Sequence, residues 1–222
     1  MKTLPLAVAA WLVGTALAGA QEPPKIPLTR ADAHFVLGWQ NLHKPQPVEQ
    51  PYTDDWINDI FFAGAGAGWY WTDNLKTQVD VGGGTKGRQS RYEPIVTGSQ
   101  QTGTRYSRLN VQRQSVAIAQ QYQFFRNQWF HPHVGAGVDV ARETAREEYD
   151  PLTVFDPVAR VTRVIAPARI EGPDHRTIAR AFGEAGFKTY LTKRTFFTSD
   201  MRLMFKGGID EVLFRFGFGV DF

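Results

Sequence analysis

Cysteine is absent from the 222 residues. That removes disulfides, thiolate nucleophiles and cysteine-based zinc or iron–sulfur centres. An excess of one charge is missing too. The chain has 25 Lys+Arg against 22 Asp+Glu, a net of +3, so no nucleic-acid partner is expected. After the first twenty residues, no apolar run approaches the about 20 residues that a membrane-crossing helix needs. The longest run, residues 60–71, is half Gly and Ala. No phosphate loop, G-x-S-x-G or H-E-x-x-H motif occurs. Glycine (21) and aromatics (16 Phe, 6 Trp, 7 Tyr) are abundant in a chain that is only 42% hydrophobic. That combination directs attention to period-two patterning.

Residues 1–20 read as a secretory signal. Lys2 precedes an apolar stretch over 4–17, and Ala18-Gly19-Ala20 fits a small-x-small cleavage site. Cleavage after Ala20 leaves a short N-terminal segment, 21–32, and one domain over 33–222.

That domain reads as all-β. In the last strand, Val212, Phe214, Phe216, Phe218, Val220 and Phe222 share one face. Leu213, Arg215, Gly217, Gly219 and Asp221 share the other, a strict alternation. Similar alternation marks strands near 33–41, 57–71, 75–85, 106–124, 129–142, 176–191 and 195–206. These eight are long for a soluble sandwich and suit a tilted bilayer crossing. Short connections at 72–74, 125–128 and 192–194 alternate with long ones at 42–56, 86–105 and 143–175. The sorting is that of a transmembrane barrel, with short turns on one side and long loops on the other. The fold expected is an eight-stranded antiparallel up-and-down transmembrane β-barrel.

Parity supports the hairpins, because facing residues on antiparallel strands point to one side. It allows Gly66 opposite Asp80, and Ile118 opposite Ala136. It also allows either Glu184 opposite Arg202 or Lys188 opposite Asp200. Aromatics gather at the short turns. Trp69, Tyr70, Trp71, Phe124, Trp129 and Phe130 are expected in an interfacial girdle, and Tyr190 and Phe196 lie near the third turn.

The pattern resembles the small eight-stranded outer-membrane barrels of Gram-negative bacteria, of the OmpA transmembrane domain, OmpX and OmpW type. The resemblance spans residues 31–222 and rests on architecture and on a final strand ending in Phe222. It implies residence in the bacterial outer membrane. It also implies contact with outer-membrane lipid and lipopolysaccharide, and a monomer. Phe218, Val220 and Phe222 would be the assembly signal read by the barrel-assembly machinery. Two departures stand out: no peptidoglycan-binding domain follows the barrel, and the fourth outer loop is nearly absent.

An eight-stranded lumen is narrow enough to be filled by side chains. Asp80, Asp139, Arg180, Glu184, Lys188, Asp200, Arg202 and Arg215 are expected to form an ionic network there. Inward Gly64, Gly66 and Gly68 leave room for long neighbours. His131 and His133 share a face but lack a third metal ligand or an adjacent Ser, so no cofactor and no catalytic pair is expected. Gly82-Gly83-Gly84 reads as the start of a loop. Arg160, Arg163 and Arg169 in the third outer loop are candidate surface contacts, and that loop suits a protruding hairpin. The expected role is structural, in envelope integrity or in surface interaction. A small OmpW-like channel, a lipid-modifying enzyme (disfavoured) and a soluble lipocalin-like binder are the alternatives.

Overall fold

A computed structural model describes residues 30–45, 54–97, 100–124, 129–156 and 160–222. The expected signal, most of residues 21–32, the middle of the first outer loop and the 125–128 turn lie outside the described residues. Period-two alternation becomes strand throughout. The strands are β1 (Ala31–His43), β2 (Trp56–Tyr70), β3 (Leu75–Gly84), β4 (Gly87–Thr97), β5 (Gln100–Gln123) and β6 (Phe130–Tyr149). They continue with β7 (Leu152–Asp156), β8 (Val161–Ala166), β9 (Arg169–Tyr190), β10 (Thr195–Phe205) and β11 (Ile209–Asp221). β1 begins inside the expected N-terminal segment, so Asp32 belongs to the barrel.

Eight strands close a ring in the order β3-β2-β1-β11-β10-β9-β6-β5, with β5 returning to β3. Every pairing is antiparallel, and the first strand meets the last from Asp32↔Asp221 to Leu42↔Glu211. Closure leaves the ring no free edge. The eight-stranded barrel is therefore the fold.

Registers follow the parity expected, with one slip. Gly66 faces Asp80 and Glu184 faces Arg202. Lys188 faces Thr198, so the alternative register is not adopted. Ile118 faces Val138, two residues away from the Ala136 expected, which faces Gln120. A two-residue slip keeps every side chain on its face, so parity alone does not detect it.

Two long loops prove to be strand. Residues 87–97 form β4 along the far half of β5. β6 and β9 stay paired out to Tyr149↔Arg169, and β7 pairs with β8 in a separate hairpin. A sheet extension thus rises beyond one end of the ring. Gly82-Gly83-Gly84 lies within β3 and does not start a loop. Thr192–Thr195 and Lys206–Gly208 close tight turns.

The barrel is inside-out relative to a soluble domain. Phe35, Trp39, Val79, Val81, Val116, Ile118, Val138, Phe214 and Phe218 are exposed on the outer wall. Arg202, Arg215, Lys188, Glu143 and Glu211 are among the largest fully buried side chains.

Candidate functional site

Among the described residues the lumen gathers most of the buried charged side chains, and β1 samples it layer by layer. Its inward positions run Asp32, His34, Val36, Gln40 and Leu42, all buried. From the short-turn end these meet an ionic layer, a second ionic layer, an apolar layer, a third ionic layer and an apolar cap.

In the first layer, the Lys188 Nζ donates to Asp221 at 2.5 Å and to Asp32 at 3.2 Å. Lys76 Nζ reaches Asp32 at 3.2 Å, and the Tyr70 hydroxyl donates to Asp32 at 2.9 Å. Tyr190 donates to Asp221, and Lys188 lies 3.8 Å above the Phe196 ring. Tyr70 therefore points inward and is no part of the girdle. Tyr190 and Phe196 also point inward. Their hydroxyls and ring satisfy buried charges, which outweighs the pull of the interface on aromatics near a turn.

The second layer centres on two guanidiniums. Arg215 donates to both Asp200 oxygens at 2.8 and 3.0 Å and approaches Asp80 at 3.3 Å. Arg202 donates to Glu184 at 2.7 Å and also to Asp80. The His34 Nε2 and Asp80 are 2.8 Å apart. Glycine makes this packing feasible. A Cβ at Gly66 would lie 2.1 Å from Asp80 and 2.6 Å from His34. One at Gly68 would meet Asp32 at 2.6 Å.

Val36, Phe62, Ala117, Ala119, Phe182, Met204 and Leu213 form the apolar layer across the lumen. Beyond it, Arg113 pairs with Asp139 and Glu211, while Arg180 pairs with Asp210 and Glu211. Gln40 donates to Glu211 at 2.7 Å. Leu42, Ile57, Ile60, Leu109 and Val111 cap the stack. Glu143, which faces Arg113 across the β5–β6 pair, is reached by Lys44 and Arg176 at 2.8 and 2.6 Å. Burial pushes the Lys44 ammonium below its ordinary value, and Glu143 beside it opposes that shift.

Asp80, Asp139, Arg180, Glu184, Lys188, Asp200, Arg202 and Arg215 thus all lie in the lumen, divided among three layers. Asp32, Lys76, Arg113, Glu143 and Glu211 complete the pairs and were not singled out in the sequence. A cavity of about 10 Å³ remains between the first two layers, lined by His34, Lys76, Gln121, His133, Lys188 and Asp200. That is about the space one water needs. Both ring nitrogens of His133 lack a hydrogen-bond partner among the described residues, and they line that space.

On the outside, Trp69, Trp71, Phe124 and Trp129 are exposed around the short-turn end, and Phe130 stacks on Trp129 and Phe187. Trp71 Nε1 donates to Thr77, and Thr77 donates to Gln120, both at 2.7 Å. Arg160 and Arg163 are exposed on the β7–β8 hairpin. Arg169 is engaged: it pairs with Glu171 at 2.8 Å and stacks 4.5 Å from the centre of the Tyr149 ring. Phe218, Val220 and Phe222 are exposed at the end of the chain.

No family model and no curated protein matches the chain. Solved structures do. The N-terminal β-barrel domain of Pseudomonas aeruginosa OprF is 14% identical, covers 87% of this chain and 98% of its own, and has a TM-score of 0.45. Neisserial surface protein A is 12% identical over 86% of this chain and 96% of its own, with a TM-score of 0.49. The outer membrane protein OprG of Pseudomonas aeruginosa is 12% identical over 87% and 97%, with a TM-score of 0.49. These likenesses concern the shape of the chain and bring no function with them.

Proposed function

We propose that the protein is an outer-membrane barrel with an occluded lumen, serving a structural and surface-interaction role. The observation that supports it is the inversion of burial: large apolar side chains cover the outer wall while paired charges fill the interior. In water such a wall would be an aggregation surface, whereas in a bilayer it is the solvated face. Charges taken out of water need such pairing and hydrogen bonding, which the lumen supplies.

The channel alternative is disfavoured by the stack of layers. Two apolar layers, one on each side of the Arg113–Glu211–Arg180 cluster, interrupt any continuous polar path. The role is then carried by the wall, which holds lipid, and by the β4–β5–β6–β9 extension, which presents surface outside it. Membrane fractionation with heat-modifiable gel migration tests this reading. Recovery with outer membranes, and faster migration of the unheated form, are expected. Recovery as a soluble periplasmic protein would refute it.

A further inference from the structure

The outer wall is uneven at the extended end. Two successive rungs of outward residues show where. The lower rung runs Phe35, Ala65, Val81, Val116, Val140 and Ala179, each facing the next across its strand pair. It is apolar throughout. The upper rung runs Leu37, Ala63, Gly83, Gln114, Arg142 and Thr177. On β1 and β2 the wall stays aromatic one rung further, at Trp39 and Phe61. On β5, β6 and β9 it turns polar at Gln114, Arg142 and Thr177.

Where the two halves meet, the wall is hollowed. Ala63 and Gly83 face each other and carry almost no side chain. Phe35, Val81, Val116 and Val140 stand around them, and Arg142 and Thr177 form the polar rim of a groove of about 670 Å³. It crosses from β1 to β9, on the order of 20 Å at ordinary strand spacing. Arg142 is exposed and forms no ion pair among the described residues. One rung above, on the same outer face, Thr144 Oγ1 and His175 Nδ1 are 3.0 Å apart. Cationic and hydrogen-bonding groups therefore sit at one end of an apolar trough.

We infer that this groove docks a phosphorylated, acylated lipid of the outer leaflet. Its phosphate accepts charge-assisted hydrogen bonds from Arg142, and an acyl chain lies over Gly83 and Ala63 toward Phe35. The complementarity is twofold. A guanidinium matches a phosphate in geometry and charge. The trough covers chain surface that a flat wall would leave to mobile neighbours. The inference rests on the membrane reading above, because only a protein in the bilayer meets such a lipid from the side.

The test uses the full barrel refolded in detergent micelles, titrated with diphosphoryl lipid A or with its dephosphorylated form and read by native mass spectrometry. One phosphorylated lipid per barrel is expected. Arg142→Gln should weaken it about tenfold, as loss of one charged hydrogen-bonding group does. Arg142→Lys should restore part of the affinity. Ala63→Phe fills the trough and should reduce binding of both lipid forms. Equal retention by the native chain, Arg142→Gln and Ala63→Phe would overturn the inference while leaving the barrel intact, as judged by heat-modifiable migration. Displacement by millimolar inorganic phosphate would also overturn it, showing a simple anion site. A chain that fails to float with phosphatidylcholine vesicles would instead remove the membrane reading itself.

Discussion

Replacing Arg215 with alanine is expected to be the most damaging single change in the lumen. The residue is fully buried, donates twice to Asp200, and lies 3.3 Å from Asp80 and 3.8 Å from Glu184. Counting the fixed charges of this layer, three carboxylates (Asp80, Glu184, Asp200) face two guanidiniums (Arg202, Arg215), a sum of −1. Arg215→Ala makes it −2 and strips Asp200 of both its charged hydrogen bonds. One-sided removal from a buried pair costs about 3–5 kcal/mol. That lowers the ratio of folded to unfolded chains by roughly two to three and a half powers of ten. Asp200→Asn makes the sum zero and keeps an acceptor for Arg215, so it should cost only about 1–2 kcal/mol. Asp200→Leu with Arg215→Met restores −1 and should recover most of the loss, because an apolar pair replaces an ionic one at little net cost. Urea unfolding in phosphatidylcholine vesicles, followed by tryptophan fluorescence and gel migration, measures all three. If Arg215→Ala costs under about 1 kcal/mol, or costs no more than Asp200→Asn, the layer is hydrated and the packed-lumen argument fails.

Gly66→Leu should destabilise the barrel by about 1–3 kcal/mol in the same assay, because even a Cβ there collides with Asp80 and His34. Phe182→Ala opens the apolar layer and should cost about 3–5 kcal/mol, with little change if that layer is already wet. Tyr70→Phe removes the hydroxyl that donates to Asp32 and should cost about 1.5–3 kcal/mol. Trp69→Ala, by contrast, should alter depth and stability in vesicles but not in detergent micelles, since its ring is on the wall; equal losses in both would place its role in packing.

Much of this was legible in residues that alternate. The faces of β11 are readable from Val212 to Phe222, and parity narrows the β9–β10 hairpin to two registers, of which the one pairing Glu184 with Arg202 is adopted. Three kinds of information were not. An even register slip leaves faces unchanged, which hid the Ile118–Val138 pairing. Polar segments such as 87–97 form strand because they pair with β5, and nothing local announces that. A register shift between Gln40 and Leu42 lets both Ile57 and Ile60 point inward, against simple alternation. Tyr70 is different: its even position already placed it with Gly66 and Gly68, and only its nearness to a turn suggested the girdle. Arg113 and Lys76 likewise sit at inward positions of alternating strands and become significant once Glu211 and Asp32 are brought opposite them. The outer-wall groove was not legible at all, because its upper rung is assembled from six strands that the chain order scatters.

Conductance across a planar bilayer tests the central claim most directly. With refolded barrel inserted, and insertion verified by heat-modifiable migration, the layered lumen predicts no resolvable single-channel current in molar salt. Stable, repeated current steps from the same preparation would contradict it, because ions would then be crossing the Val36–Phe62–Phe182–Leu213 layer.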